Sequence, residues 1–171
     1  MKKLLLGIMV LVAGATAAKA QFFVGGGLGF WASPKNYTSF WIEPDAGYSF
    51  NDHWAVGLAV GFDFSKESGL KGGNTFFYAA PYARFKYFSA EKVNLFLDGV
   101  VGVSLAHYTN GGNDVGFQII IRPGIAVNLT DHFSLVGTFG ALGYRKGYRG
   151  TAEGFGLTLT NSLGFGFYYS F

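Results

Sequence analysis

The chain has 171 residues, half of them apolar and 19% aromatic, with 13% charged and no cysteine. The lack of cysteine excludes disulfides, thiolate chemistry and a lipid-modified N-terminal cysteine. The formal charge of +3 resides in Lys2, Lys3 and Lys19; the rest of the chain balances, so the basic excess is no argument for nucleic-acid binding.

The first element in chain order is "MKKLLLGIMVLVAGATAAKAQ". A basic start, an apolar run from Leu4 to about Ala18 and the small-x-small site Ala18-Lys19-Ala20 mark residues 1–20 as a signal peptide cut before Gln21. Residues 21–171 then form one exported domain, and no later apolar run is long enough for a spanning helix.

Eight stretches with a period of two follow, approximately Phe22 to Trp31, Ser39 to Phe50, Trp54 to Phe64, Thr75 to Phe88, Val93 to Ala106, Val115 to Leu129, Phe133 to Tyr144, and Glu153 to Phe171. In the third, Trp54, Val56, Leu58, Val60, Phe62 and Phe64 face one side, and Ala55, Gly57, Ala59, Gly61 and Asp63 face the other. Tight polar turns at Asn51 to His53, Ser89 to Lys92 and Thr130 to His132 alternate with longer loops at Ala32 to Thr38, Ser65 to Asn74, His107 to Asp114 and Arg145 to Ala152. This is the pattern of an antiparallel up-and-down meander with both termini at the short-turn end.

An internal repeat supports hairpin units. Pro44 lies eight residues before Asp52-His53-Trp54, Pro123 eight before Asp131-His132-Phe133, and Pro81 eight before Ser89. Proline lacks the backbone donor a ladder needs, so a bulge or broken ladder is expected at each. Because the two faces differ in size, they also tell inside from outside. Bulky aromatics and aliphatics suit lipid, whereas the glycine, alanine and serine of the other face suit the narrow bore of an eight-stranded barrel. Each stretch reaches the roughly 9 to 11 residues needed to span at a tilt, aromatics gather near the strand ends as interfacial girdles would, and closure satisfies every backbone polar group in hydrocarbon. The expected fold is all-β, an eight-stranded antiparallel up-and-down transmembrane β-barrel.

The signal peptide, eight strands, alternating connections and terminal "GFGFYYSF" make the chain similar to the small eight-stranded outer-membrane β-barrel family of diderm bacteria, whose plan is shared by the transmembrane domains of outer-membrane proteins A and X. The resemblance covers the whole chain after Gln21 as a pattern, with the C-terminal strand as its one specific motif. It implies the cell outer membrane as location, and it implies that Leu163, Phe165, Phe167, Tyr169 and Phe171 form the signal read by the barrel-assembly machinery. Unlike outer-membrane protein A, the chain shows no peptidoglycan-binding domain after the barrel.

Alternation places Glu43, Asp45, Asp63, Arg84, Lys86, Asp98 and Arg122 inside, with Asn94, Gln118 and Asn128. Buried charges persist when paired, so these residues are expected to form a salt-bridge network plugging the lumen; the alternative is a narrow polar pore or a gate opened by breaking one pair. The loops carry Lys35, Lys66, Lys71, Arg145, Lys146 and Arg149, a basic set read either as solvated charge or as a patch for lipopolysaccharide phosphates. His53 and His132 occupy equivalent turn positions, and His107 points away from Ser104, so no nucleophile-base-orienter set emerges and no enzyme is expected. "GGGLGF" lacks the helix and Lys-Ser/Thr of a phosphate loop; its inner Gly25, Gly27 and Gly29 make room for a bulky neighbour or a bend. No cofactor, metal or nucleic acid is implied. The expectation is a monomeric outer-membrane barrel with a structural or interaction role in the envelope, touching outer-membrane lipids and lipopolysaccharide; the alternatives are a small nonspecific porin-like pore and, further off, a lipid-modifying enzyme.

Overall fold

A computed structural model of the chain describes residues 21–33, 37–67, 72–109, 111–159 and 164–171; the segment expected to be a signal peptide lies outside them. Ten strands run in chain order: β1 (Gln21–Ser33), β2 (Tyr37–Ser49), β3 (Trp54–Glu67), β4 (Asn74–Ser89), β5 (Val93–Tyr108), β6 (Gly112–Asn128), β7 (Phe133–Thr138), β8 (Ala141–Lys146), β9 (Gly154–Thr158) and β10 (Gly164–Ser170). Each pairs antiparallel with its neighbours. β1 through β6 are six full staves, β7 with β8 makes the seventh, and β9 with β10 the eighth. The β1–β10 ladder, Phe23↔Ser170 to Gly26↔Phe167, closes the sheet on itself. The molecule is an eight-stave antiparallel up-and-down transmembrane β-barrel.

Side-chain size dictates which face is turned out. Leu28 is 71% exposed, and Leu58, Val101, Val103, Ile119, Ile121, Phe165 and Phe167 are also exposed on the outer wall, whereas Phe96, Asp98 and Ser104 are enclosed within it. In water such a surface would drive association; in lipid it is the solvated face, where one Arg or Lys at mid-depth costs about 2–4 kcal/mol.

Two of the three short turns repeat one chemistry at equivalent positions. Asn51 Oδ1 accepts the N–H groups of His53 and Trp54 at 2.9 and 2.8 Å, and Thr130 Oγ1 accepts those of His132 and Phe133 at 3.3 and 3.0 Å. Nδ1 of His53 donates to the Lys86 carbonyl at 3.1 Å, and Nδ1 of His132 to the Ser170 carbonyl at 2.8 Å. Each histidine thus ties its turn to the next stave.

The prolines break ladders as expected, each on one side only. β2–β3 pairing passes from Ile42↔Phe62 to Asp45↔Ala59, skipping Pro44, and β4–β5 passes from Ala79↔Val103 to Tyr82↔Val100, skipping Pro81. At Pro123 the consequence is larger. β6 pairs with β8 over Gln118 to Ile121 and with β7 over Gly124 to Asn128, leaving Arg122 and Pro123 unpaired on that side. The stretch Phe133 to Tyr144 is therefore two strands: Phe139 N–H reaches back to the Pro123 carbonyl at 3.1 Å, and Gly140 turns the chain at φ 68°, a left-handed value that glycine adopts without steric cost. The stretch Glu153 to Phe171 is likewise divided, into β9 and β10. Among the described residues, β1 beyond Gly26 pairs only with β2, and β9 only with β8.

Candidate functional site: the filled lumen and its loop-end mouth

Facing positions on three adjacent staves build the centre of the lumen, because the register sets Arg84 opposite Asp98 and Asp98 opposite Arg122. Asp98 is fully buried and accepts both Arg84 Nε at 2.7 Å and Arg84 Nη2 at 3.0 Å, while Arg122 Nη2 stands 3.5 Å away. The Arg84 guanidinium lies 3.8 Å from the centroid of the Phe96 ring. The planar fork is thus bonded to the carboxylate along one edge and stacked on the ring at its face. Arg122 Nε has no partner.

Two further carboxylates are held by tyrosines. Asp45 accepts the hydroxyls of Tyr82 and Tyr168 at 2.9 and 2.8 Å, and Glu43 accepts that of Tyr78 at 2.7 Å. The rings find room because glycine lines the facing wall. A Cβ at Gly57 would strike the Tyr82 ring, one at Gly61 the Tyr78 ring, one at Gly25 the Tyr168 ring, and one at Gly27 or Gly29 the Trp41 indole. The inner face is thus not uniformly slender, as its abundance of glycine, alanine and serine suggests. Large rings from some staves are seated on glycines of others.

At the loop end the segment after β8 folds into the bore. Gly147, at φ 63°, turns the chain inward, and the 3-10 turn Tyr148–Gly150 buries Tyr148 over Gly102. Arg149 N–H donates to Ser104 Oγ at 2.9 Å, and Arg149 Nη2 pairs with Asp63 Oδ2 at 2.6 Å with its guanidinium 4.6 Å from the Tyr78 ring centroid. Arg149 itself is left-handed, at φ 52° and ψ 40°. A non-glycine residue held there costs on the order of 1 kcal/mol, which its ion pair and hydrogen bond offset. At the turn end the bore is open instead, a vestibule of about 1080 Å³ floored by Arg84 and Tyr168 and lined by Lys86, Lys92, Asp52, Asn94 and Asn128.

The structure divides the seven charges expected inside into separate groups. Arg84, Asp98 and Arg122 meet; Glu43 and Asp45 bond to tyrosines; Asp63 pairs with a loop arginine; Lys86 faces the vestibule, with Asp52 as its charged counterpart. Sequence reasoning missed Tyr78, Tyr82, Tyr148 and Tyr168. A signal existed for Tyr168, a large residue standing among serines and glycines on the slender face of the last strand.

The expected basic loop patch is corrected. Lys35 and Lys71 lie outside the described residues, and Lys66 is exposed at the end of β3. Only Lys146 points outward from β8, where it pairs with Glu153 at 3.2 Å. Strand alternation turns Arg145 inward, where its Nε donates to Gln118 Oε1 at 3.2 Å, and the turn at Gly147 carries Arg149 into the bore. Glu153 also accepts the Tyr144 hydroxyl at 2.5 Å. That bond, with the ammonium of Lys146, holds the exposed Glu153 carboxyl below its usual range.

Of the C-terminal set, Leu163 lies outside the described residues. Phe165, Phe167 and Phe171 are exposed on the outer wall, and the Tyr169 ring packs at 5.3 Å on Phe133 and at 5.6 Å on His132. His107 bonds to Asn113 at 2.7 Å while Ser104 is enclosed and receives Arg149, so the two do not meet. Among the described residues no His, Asp and Glu group is arranged to hold a metal ion.

No protein-family model matches the chain, and no curated protein matches it in sequence. Among solved structures it is similar to Neisserial surface protein A, with 13% identity over 88% of this chain and 91% of that chain and a TM-score of 0.45.

Proposed function

We propose that this chain is a closed, non-conducting barrel of the bacterial outer membrane, exported by its N-terminal signal peptide and inserted through the C-terminal strand bearing Leu163, Phe165, Phe167, Tyr169 and Phe171. Its work is structural or interactive: it supports the envelope as a monomer and meets surface lipids, lipopolysaccharide among them, at its loop end. The outer wall supports the membrane reading, because no aqueous setting tolerates so continuous a belt of exposed leucine, isoleucine, valine and phenylalanine.

The observation that carries the non-conducting reading is the inward loop. Tyr148 and Arg149 occupy the bore at the level of Ser104, Asp63 and Tyr78, and below them the Tyr82–Asp45–Tyr168 bridge and the Arg84–Asp98 pair cross it. Purified protein in planar lipid bilayers should give no steady ohmic conductance, and Arg84→Ala or Arg122→Ala should raise leak above wild type. Steady wild-type conductance would overturn the reading. A small pore is the second reading, and the open turn-end vestibule favours it, since an ion entering there meets only the upper half of the filling. Arg149→Gln tests that route through brief openings in the same recordings.

A further inference from the structure

The inner glycines of this barrel differ in what they face. Those of β1, β2 and β3 are covered by rings, but at Gly154 and Gly156 of β9 a side chain would meet open space. Beside them lies a cavity of about 200 Å³ walled by Ile120, Ala141, Gly143 and Thr158 and roofed by Thr151 and Ala152. Arg145 is the one charged group in that wall. Its Nε bonds to Gln118, its charged neighbours are Arg122 and Arg149, and among the described residues no carboxylate stands within ion-pair distance of it. A half-buried guanidinium beside two other cations and without an anion is costly to hold.

The cavity also has a side. Among the described residues β9 pairs with β8 alone, and a strand edge without a ladder partner finds none in hydrocarbon. Phe155 and Leu157 on the outer face of β9 are 75% and 62% exposed and would stand in lipid. Among the described residues the site therefore combines a guanidinium without a carboxylate partner, apolar walls and a strand edge without a ladder partner, with lipid at its flank.

We infer that this cavity binds the phosphate of a phosphorylated lipid in the leaflet at the loop end. The phosphate oxygens accept from the Arg145 guanidinium and from the free edge of β9, and the adjoining part of the lipid lies against Ile120, Ala141 and the β9 glycines. Arginine fits because its fork meets phosphate in two parallel charge-assisted bonds. Lys146, paired with Glu153 outside the bore, takes no part. The inference rests on the membrane placement proposed above and narrows its lipid contact from six basic residues to one.

The test is native mass spectrometry of the detergent-solubilised protein with dioleoyl phosphatidic acid, a phosphate monoester on two acyl chains, against dioleoylglycerol and inorganic phosphate. Wild type retains one phosphatidic acid and prefers it to dioleoylglycerol by about tenfold or more. Arg145→Gln loses retention by about the same factor, and so does Gly156→Leu, which fills the cavity while leaving the arginine in place. Lys146→Gln stays within about twofold of wild type. The inference is overturned if Arg145→Gln or Gly156→Leu, folded as judged by heat-modifiable gel mobility, retains the lipid like wild type. Equal retention of dioleoylglycerol also overturns it, as does displacement of the lipid by equimolar inorganic phosphate, the mark of a free-anion site. Failure here in a protein that stays silent in planar bilayers removes the lipid site alone; retention in a protein that conducts removes the closed-barrel reading alone.

Discussion

The wall formed by β1, β2 and β3 and the wall formed by β9 are built of similar residues and do opposite things. In the first, Gly25, Gly27, Gly29, Gly47, Gly57 and Gly61 are seats for Tyr168, Trp41, Phe23, Tyr82 and Tyr78; in the second, Gly154 and Gly156 seat nothing. A glycine on an inner face has no meaning by itself. Its meaning comes from whether a ring on another stave reaches it, and that depends on the register and tilt of the closed sheet.

The contrast can be broken most severely at the anchor of the filled side. Asp98→Ala leaves Arg84 buried without its carboxylate and should cost about 3–5 kcal/mol, read from urea unfolding of the barrel in lipid vesicles. Gly61→Val should cost less, about 1–3 kcal/mol, by displacing the Tyr78 ring and its bond to Glu43; the same titration measures it. On the empty side the sign should reverse. Gly156→Val enters open space and replaces the least favourable strand residue, so it should be neutral or stabilise by about 0.5–1 kcal/mol. If both valines destabilise equally, the two walls are alike and the contrast fails.

The smallest effect belongs to the exposed cluster beyond β8. Because the Glu153 carboxyl is held low in the folded state, its contribution is present above the ordinary carboxylate range and is lost as pH falls through the depressed value. An NMR titration of Glu153 should show its midpoint move upward in Tyr144→Phe, which removes the largest single cause. An unmoved midpoint would show that the Tyr144 bond is not what holds the carboxyl low.

Much of the fold was legible because closed barrels keep a strict period of two. The alternation at Trp54 to Phe64 or Val93 to Ala106 survives unchanged in β3 and β5, and the Asp-His turns named their own repeat. Even the ladder breaks at Pro44, Pro81 and Pro123 follow from a missing donor. Where Pro123 and Gly140 act together, the strand was read as unbroken, since the partner of a missing donor lies on a different stave. The site was less legible. Reading the seventh strand only to Tyr144 grouped Arg145 with Lys146 and Arg149 as one loop patch; two further residues of alternation place Arg145 inside and Lys146 outside. Nothing local announces that Tyr148 and Arg149 return into the bore, because the residues that receive them, Gly102, Ser104, Asp63 and Tyr78, come from three other staves.

Sequence by itself determined which side of each strand meets lipid, since burial of bulky apolar groups on alternate positions is a local property with a large free energy. Tertiary structure alone decided which tyrosine holds which carboxylate, which glycines are filled, and that among the described residues Arg145 of the loop end meets no carboxylate. Those outcomes depend on distances between staves far apart in the chain, and only closure of the sheet sets such distances.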